Sequence, residues 1–160
     1  MKQTTPTKLT SPLYKLIRYL GLDPKTVVWL PLTTETDFVP ETFNCLINTM
    51  IKKKMMGGQI VFGWILWFER KSKFAEAEFH CVWQPDDASS LIDITPRVDG
   101  EQKVCFVPDP QRICHLDLSK HSPITHIYEN VKMRDGHPSN GIQKISIILR
   151  KDTLLPYLTE

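Results

Sequence analysis

The chain has 160 residues, of which 41% are hydrophobic and 24% charged, and this composition indicates one folded domain with its own core. Its 20 basic and 18 acidic residues leave a net charge of +2, which argues against a dedicated nucleic-acid-binding protein. Four cysteines at uneven spacing do not match a disulfide framework and favour reduced thiols. Because no apolar run approaches the ~20 residues of a membrane helix and residues 1–10 are polar, we expect no membrane association and a cytoplasmic location.

The first helix is predicted over residues 11–20, where apolar side chains recur at helical spacing. A Ser11-Pro12 pair suits its start, with Ser11 as N-cap, and Gly21 suits its end. Residues 26–36 are rich in β-branched side chains and contain two prolines, which predicts an extended connector or an edge strand.

A second helix is predicted after Thr42, which is a suitable N-cap. Its apolar stripe runs from Phe43 to Ile51, and Gly57 ends it. Cys45 therefore falls in the first turn of this helix, close to the positive end of the helix dipole.

Strands are predicted for most of the remaining chain. The uniformly apolar segment 59–68 indicates a buried strand, and a charged turn separates it from a second strand over 75–83. In that second strand Glu78 and His80 share one face, whereas Cys81 points to the opposite face and is expected to be buried. Helices followed by antiparallel strands indicate an α+β fold. Further strands are expected at 91–95, 103–107 and 142–149.

One histidine and one aspartate are expected to face each other across the turn centred near Asp86 and Asp87. That turn places His80 directly opposite Asp93, on the same face of the sheet. A carboxylate in this position accepts a hydrogen bond from one imidazole nitrogen and leaves the other nitrogen for chemistry. A cysteine at a helix start near such a histidine, as Cys45 would be, has two features that stabilise a thiolate.

The segments FNCLINTMIKKKMMGGQIVFGW, EFHCVW and LIDITP lie in order within residues 41–96. Together they resemble the core of the transglutaminase-like branch of papain-type cysteine hydrolases. The resemblance implies a papain-like α+β core, in which a helix bearing Cys packs on an antiparallel β-sheet bearing His and Asp. It implies that Cys45 is the nucleophile, His80 the general base and acid, and Asp93 the orienting carboxylate, without a cofactor. The backbone N–H of Cys45 is the expected first donor to an oxyanion.

Three more residues are candidates for substrate contacts. Asn48 lies one turn after Cys45 on the same helix face, Trp64 follows Gly63, and Glu78 shares the face of His80. Each also has a purely structural interpretation, because strand tryptophans usually pack in the core and strand glutamates usually face solvent.

A metal site is the alternative use of the cysteines and histidines in the second half of the chain. Their spacing matches no common structural zinc pattern, so we expect no metal there. The residues concerned are Cys105, Cys114, His115 and His121.

Residues 1–160 are expected to form one domain with three parts: an N-terminal helix and connector (1–40), a catalytic-like core (41–96) and C-terminal strands and loops (97–160). The expected function is that of a thiol-dependent amide hydrolase, of peptidase, isopeptidase or glutamine deamidase type, which acts on a protein or peptide through a thioester. The alternative is a non-catalytic protein-binding domain on the same scaffold, or an unrelated α+β interaction module.

Overall fold

Two helices lie against an antiparallel sheet in the computed structural model, which describes residues 4–87, 90–149 and 154–159. This arrangement confirms the predicted α+β class. Within the described residues, no helix is long and apolar enough to cross a membrane. The elements are α1 (Ser11–Tyr19), a 3₁₀ turn (Pro24–Thr26), β1 (Val28–Pro31), α2 (Cys45–Met56), β2 (Gln59–Glu69), β3 (Phe74–Gln84), β4 (Lys103–Pro108), β5 (His115–Asp117), β6 (Ile124–Tyr128), β7 (Val131–Arg134), β8 (His137–Pro138), β9 (Lys144–Ile148) and α3 (Leu155–Thr159).

The main sheet has the strand order β1-β4-β2-β3-β7-β8, and its neighbouring strands are antiparallel. Its centre is the β2–β3 hairpin, which pairs from Gln59↔Gln84 to Glu69↔Phe74 around the predicted charged turn. The uniformly apolar sequence of β2 is explained by burial on both faces. Trp64 contributes to the core on one face, and Ile65 contributes to a second core on the other.

Helix α1 covers the first of these faces. Its buried stripe packs against β2, β3, β4 and β7. Helix α2 covers the neighbouring part of the same face, where Leu46 packs beside Cys81 of β3. The residues of the α1 core are Leu13, Leu16, Ile17, Leu20, Trp64, Leu66, Ala75, Ala77, Cys105, Val107, Val131 and Met133.

The opposite face of the sheet is closed into a small barrel at one end. Ile92 forms an antiparallel bridge to Trp83 of β3, and Asp93 forms a parallel bridge to Leu32, just after β1. Since β1, β4, β2 and β3 are already consecutive neighbours, these two bridges join the outer strands into a ring. The ring encloses an apolar core made of Leu30, Ile65, Trp67, Val82, Val104 and Phe106.

A second, three-stranded sheet with the order β5-β6-β9 packs beside α2. Leu116 of β5 and Ile127 of β6 contact the core around Leu46. The strand expected over 142–149 is present as β9. This sheet forms the wall that faces the N-terminal end of α2.

Three local predictions are corrected by the structure. Helix α2 begins at Cys45 with Asn44 as its N-cap, so Thr42 is not the cap. The reason is Phe43, whose φ of 62° is left-handed and prevents an earlier helical start; its side chain is 80% exposed and outside the expected stripe. The N-cap of α1 is Thr10, one residue before Ser11. The strand expected over 91–95 is reduced to the bridges at two residues.

Candidate active site

Cys45 is the first residue of α2, so it lies in the first turn of this helix, as predicted. The N-cap residue Asn44 makes no side-chain hydrogen bond to the start of the helix. Its amide instead donates to Glu41 Oε2 at 2.9 Å. The first backbone N–H groups of a helix have no partner within the helix, so those beside Cys45 remain available to a ligand.

Among the residues that the structure describes, no strand pairs with the edge of β3 beside Cys45. Strand β7 pairs with β3 only as far as Ala77, and the next partner along that edge is Ile92, which exchanges backbone hydrogen bonds with Trp83 at 2.8 and 2.9 Å. Alternate residues of a strand direct their N–H and C=O groups to the same edge. Phe79 and Cys81, in register with Trp83, therefore direct theirs into this gap, where the backbone of Cys81 acts to lower the pKa of Cys45.

His80 and Asp93 form a buried pair. His80 Nε2 lies 3.0 Å from Asp93 Oδ2, and the exposed fractions of the two residues are 3% and 0%. The second carboxylate oxygen, Asp93 Oδ1, accepts the backbone N–H of Thr95 at 3.1 Å. With Nε2 occupied by Asp93, the nitrogen of His80 that remains for Cys45 is Nδ1, and the interaction with Cys45 acts to raise the pKa of this imidazole. The structure therefore brings the three predicted catalytic residues together.

The pairing of His80 with Asp93 arises from a different register from the one expected. Trp83 pairs with Ile92. Compared with a register in which His80 lies directly opposite Asp93, the two segments are therefore shifted by two residues. A shift of two residues keeps every side chain on its original face. The expected contact consequently forms, although the two residues are diagonal neighbours and not direct partners.

The pKa values of the cysteine and histidine move in opposite directions. A hydrogen bond from the Cys81 thiol holds the pKa of Cys45 well below its ordinary value, against the effect of burial and together with the charge and hydrogen bond of His80. Burial acts to lower the pKa of His80, but the charges and hydrogen bonds of Asp93 and Cys45 outweigh it and hold that pKa well above its ordinary value. These opposite directions favour a thiolate–imidazolium pair.

Cys81 is an additional member of the site that sequence analysis assigned only to the core. It is buried, as expected, and burial followed by the hydrogen bond to Cys45 raises the pKa of the Cys81 thiol well above its ordinary value. It therefore keeps its proton and acts as a donor to the Cys45 thiolate. The alternation of β3 gave the correct face for Cys81, but not the open edge that brings it to the helix start.

Gly63 shapes the barrel side of the site. It pairs with His80 across the β2–β3 ladder, and a Cβ on it would overlap the carbonyl oxygen of Val107 and the ring of Phe106. The missing side chain lets the Phe106 ring approach His80, with centroids 6.4 Å apart and an edge-on geometry. Gly63 thus makes room for Phe106, which is the apolar wall beside the histidine.

A cavity of about 220 Å³ opens in front of Cys45 and His80. It lies between the start of α2, the open edge of β3, the 95–98 loop and the β5-β6-β9 sheet. Its most exposed apolar lining residues are Phe43, Val98 and Ile147. The remaining lining residues are Asn44, Leu46, Glu78, Phe79, Thr95, Pro96, Arg97, Cys114, Thr125, Ile127, Tyr128, Asn130 and Leu149.

Glu78 is the one of the three predicted substrate-contacting residues whose side chain lines this cavity. Its Oε2 accepts the indole N–H of Trp67 at 2.8 Å and lies 3.5 Å from the guanidinium of Arg97. Arg97 also stacks on the ring of Trp67, 4.9 Å from its centroid. Arg97 was not predicted, because the loop that carries it has no recognisable pattern in the sequence.

Asn48 and Trp64 do not line the cavity, so their predicted contacts with substrate are corrected. Trp64 is fully buried in the α1 core, where its indole N–H donates to Asp109 Oδ2 at 2.9 Å. Asn48 is also fully buried, and its amide Nδ2 donates to the carbonyl of Glu41 at 2.8 Å and to Thr95 Oγ1 at 3.1 Å. Asn48 therefore joins the segments that contain Glu41 and Thr95, which flank Cys45 and Asp93.

The cysteines and histidines considered for zinc do not converge. Among the residues that the structure describes, no three His, Cys, Asp or Glu side chains form a group that could hold a metal ion. Cys105 lies in the α1 core, whereas Cys114 lies in the α2 cluster near Cys81. Burial raises the pKa of both thiols to about 12.

Comparisons of the chain with protein-family models, with curated proteins and with solved structures give no match.

Proposed function

We propose that this protein is a thiol-dependent hydrolase of amide bonds in proteins or peptides, built on a papain-like core of the transglutaminase-like kind. The observation that carries the proposal is the buried His80–Asp93 hydrogen bond at the wall of the cavity that Cys45, at the start of α2, also lines. A nucleophile, a base within hydrogen-bond reach and a third group that orients the base form the constellation of covalent acyl transfer.

The first half of the proposed reaction forms a thioester. The Cys45 thiolate attacks the amide carbonyl carbon, and the negative charge that develops on oxygen is stabilised by the N–H groups at the start of α2. The His80 imidazolium gives its Nδ1 proton to the leaving nitrogen, and the C–N bond breaks. Asp93 stabilises the imidazolium and fixes the ring orientation.

In the second half, water resolves the thioester. His80, now neutral, removes a proton from the water as it attacks the thioester carbonyl. The C–S bond breaks, the carboxylic acid leaves, and the thiolate–imidazolium pair is restored. If the leaving nitrogen belongs to a side-chain carboxamide, the same steps release ammonia and constitute deamidation.

Three features of the cavity favour a polypeptide substrate. The backbone N–H and C=O groups of Phe79 point to the open edge of β3, where an extended chain can pair with them. Phe43, Val98 and Ile147 give the cavity an apolar rim that suits side chains of a protein substrate. Glu78 and Arg97 add one charge of each sign.

The proposal is tested by incubating the protein with a defined library of peptides and reading cleavage, deamidation and ammonia release by mass spectrometry and ammonia assay. An acid quench should trap an acyl group on the peptide that contains Cys45. Cys45→Ala should abolish turnover and the acyl adduct. Capture of intact peptides by both forms, without an adduct, would instead support the non-catalytic binding domain.

A further inference from the structure

We propose that Cys45 and Cys81 form a reversible disulfide when a peroxide oxidises the site, with Cys45 as the attacked thiol and Cys81 as the resolving thiol. The proposal goes beyond amide hydrolysis, because it requires only the reactive thiol and its neighbour. It therefore remains testable even if no amide substrate is found.

The two thiols are in direct contact, although they belong to different elements. Cys45 packs against the buried cluster between α2 and β3 that contains Cys81, and its interaction with the Cys81 thiol acts to lower the pKa of Cys45. Thr49 defines the position of Cys81 independently: its Oγ1 lies 3.3 Å from Cys81 Sγ and 2.7 Å from the carbonyl oxygen of Cys45. The Cys81 sulfur is thus held against the first turn of α2.

The two thiols differ in their exposure to solvent, as a pair made of an attacked thiol and a resolving thiol requires. Cys45 is half-buried and lines the cavity, whereas Cys81 is 1% exposed and lies behind it. Peroxide reaches Cys45 first and finds a thiolate there, because His80 and Cys81 stabilise its negative charge. Cys81 is shielded from solvent and keeps its proton until Cys45 has been oxidised.

The chemistry balances with hydrogen peroxide as the only added reagent. The Cys45 thiolate attacks one peroxide oxygen, the O–O bond breaks, and a sulfenic acid and hydroxide form. The Cys81 sulfur then attacks the Cys45 sulfur, the S–O bond breaks, and the proton from Cys81 leaves with the hydroxyl group as water. The thiol pair loses two electrons and the peroxide gains them, while a dithiol such as dithiothreitol reverses the change.

The disulfide would inactivate Cys45 as a nucleophile and would also protect its sulfur from further oxidation. A sulfenic acid without a neighbouring thiol is oxidised further to sulfinic and sulfonic acids, which dithiothreitol does not reduce. A neighbour already in contact with Cys45 captures the sulfenic acid before a second peroxide arrives. Cys114, the third thiol of the cluster, is the internal comparison, because Thr49 ties Cys81 to the first turn of α2 and Cys114 is not among the groups that lower the pKa of Cys45.

Peptide mapping of the full chain tests the proposal without any variant, because trypsin places the four cysteines on four different peptides. The reduced protein is treated with a small excess of hydrogen peroxide, blocked with iodoacetamide and digested. We expect a cross-linked pair of the peptides 26–52 and 74–97, lighter by two hydrogen atoms than their sum. Dithiothreitol should restore full alkylation of Cys45.

Variants distinguish Cys81 from Cys114 as the partner. Cys81→Ala and Cys81→Ser should lose the cross-link, and Cys45 should then gain two or three oxygen atoms that dithiothreitol does not remove. Cys114→Ala should retain the cross-link. The proposal is overturned if the wild-type protein accumulates sulfinic acid at Cys45 as fast as Cys81→Ala does, or if the cross-link joins Cys45 to Cys114 or to a second chain.

Discussion

Asp93 holds His80 through a 3.0 Å hydrogen bond from which water is excluded, since neither residue exposes more than 3% of its surface. Both carboxylate oxygens are used, one by the imidazole and the other by the backbone N–H of Thr95. A buried carboxylate is tolerated only when it is paired and hydrogen-bonded in this way. The carboxylate of Asp93 acts to raise the pKa of His80, which favours the imidazolium and, through it, the Cys45 thiolate.

The rate of Cys45 alkylation should depend on pH in a way that ordinary thiols do not. Because the pKa of Cys45 is lowered, its thiolate persists below the free-thiol pKa of about 8.5, and iodoacetamide should modify it readily at about pH 6. The rate should fall only on further acidification, through the lowered pKa. Mass-resolved labelling of the four cysteines measures this, with Cys105 and Cys114 as slow internal controls. Equal, slow labelling of all four thiols would contradict an activated Cys45.

At alkaline pH, the rate of amide turnover should fall while the rate of Cys45 alkylation does not. The raised pKa of His80 keeps the imidazolium available as an acid above the ordinary range of histidine. When pH rises through that raised pKa, His80 loses the proton needed by the leaving nitrogen, so turnover should fall. Alkylation, which needs only the thiolate, should continue. Parallel pH profiles of the two rates on one sample provide the measurement, and a turnover that rises together with alkylation would exclude His80 as the acid.

Asp93→Asn should weaken the thiolate while keeping the shape of the side chain. An opposite charge in contact shifts a pKa by about 1 to 3 units, so its removal should slow Cys45 alkylation at about pH 6 by roughly tenfold or more. The matched control is Asp117→Asn on β5, whose carboxylate only receives hydrogen bonds from Ser119 at the surface. The rate of Cys45 alkylation in both variants is measured by stopping the labelling reaction at a series of times. An unchanged rate in Asp93→Asn would show that the carboxylate does not act through His80.

Asn48→Ala should destabilise the protein by about 2 to 4 kcal/mol, since it leaves buried backbone groups of Glu41 without the amide that they contact. The contact to Thr95 is lost as well, which loosens the segment that carries Asp93. Urea denaturation measures the free energy of unfolding. Lys53→Ala, an exposed change on the same helix, should stay within about 0.5 kcal/mol of the wild type. A similar small effect for Asn48→Ala would argue against its positioning role.

Local patterns in the sequence predicted most of the elements, because hydrophobic periodicity depends only on neighbouring residues. The turn expected after β3 placed His80 and Asp93 on one face, even though the expected register was two residues away. The contact between Cys45 and Cys81 was not predictable in this way. It depends on β7 ending its pairing at Ala77, which leaves the edge of β3 open, and on a left-handed backbone just before the helix. Both features are set by long-range packing.

Gly63, the glycine opposite His80, gives the sharpest test of how the fold supports the site. In Gly63→Ala the added methyl group would overlap the Val107 carbonyl and the Phe106 ring, so strands β2 and β4 must separate. We expect a loss of about 1 to 3 kcal/mol in the free energy of unfolding, as for other overpacked cores. Slower labelling of Cys45 should accompany it, because Phe106 is the wall against which the His80 ring is held.

Gly141→Ala is the control for that substitution, because nothing lies within 4 Å of the position its methyl group would take. It should leave Cys45 labelling unchanged and alter the free energy of unfolding by less than about 1 kcal/mol, since a compatible Gly→Ala change acts mainly on the unfolded chain. Urea denaturation and iodoacetamide labelling of the two variants side by side provide both readouts. If Gly63→Ala behaved like Gly141→Ala in both, close packing of Phe106 against His80 would not be what keeps the imidazole in place.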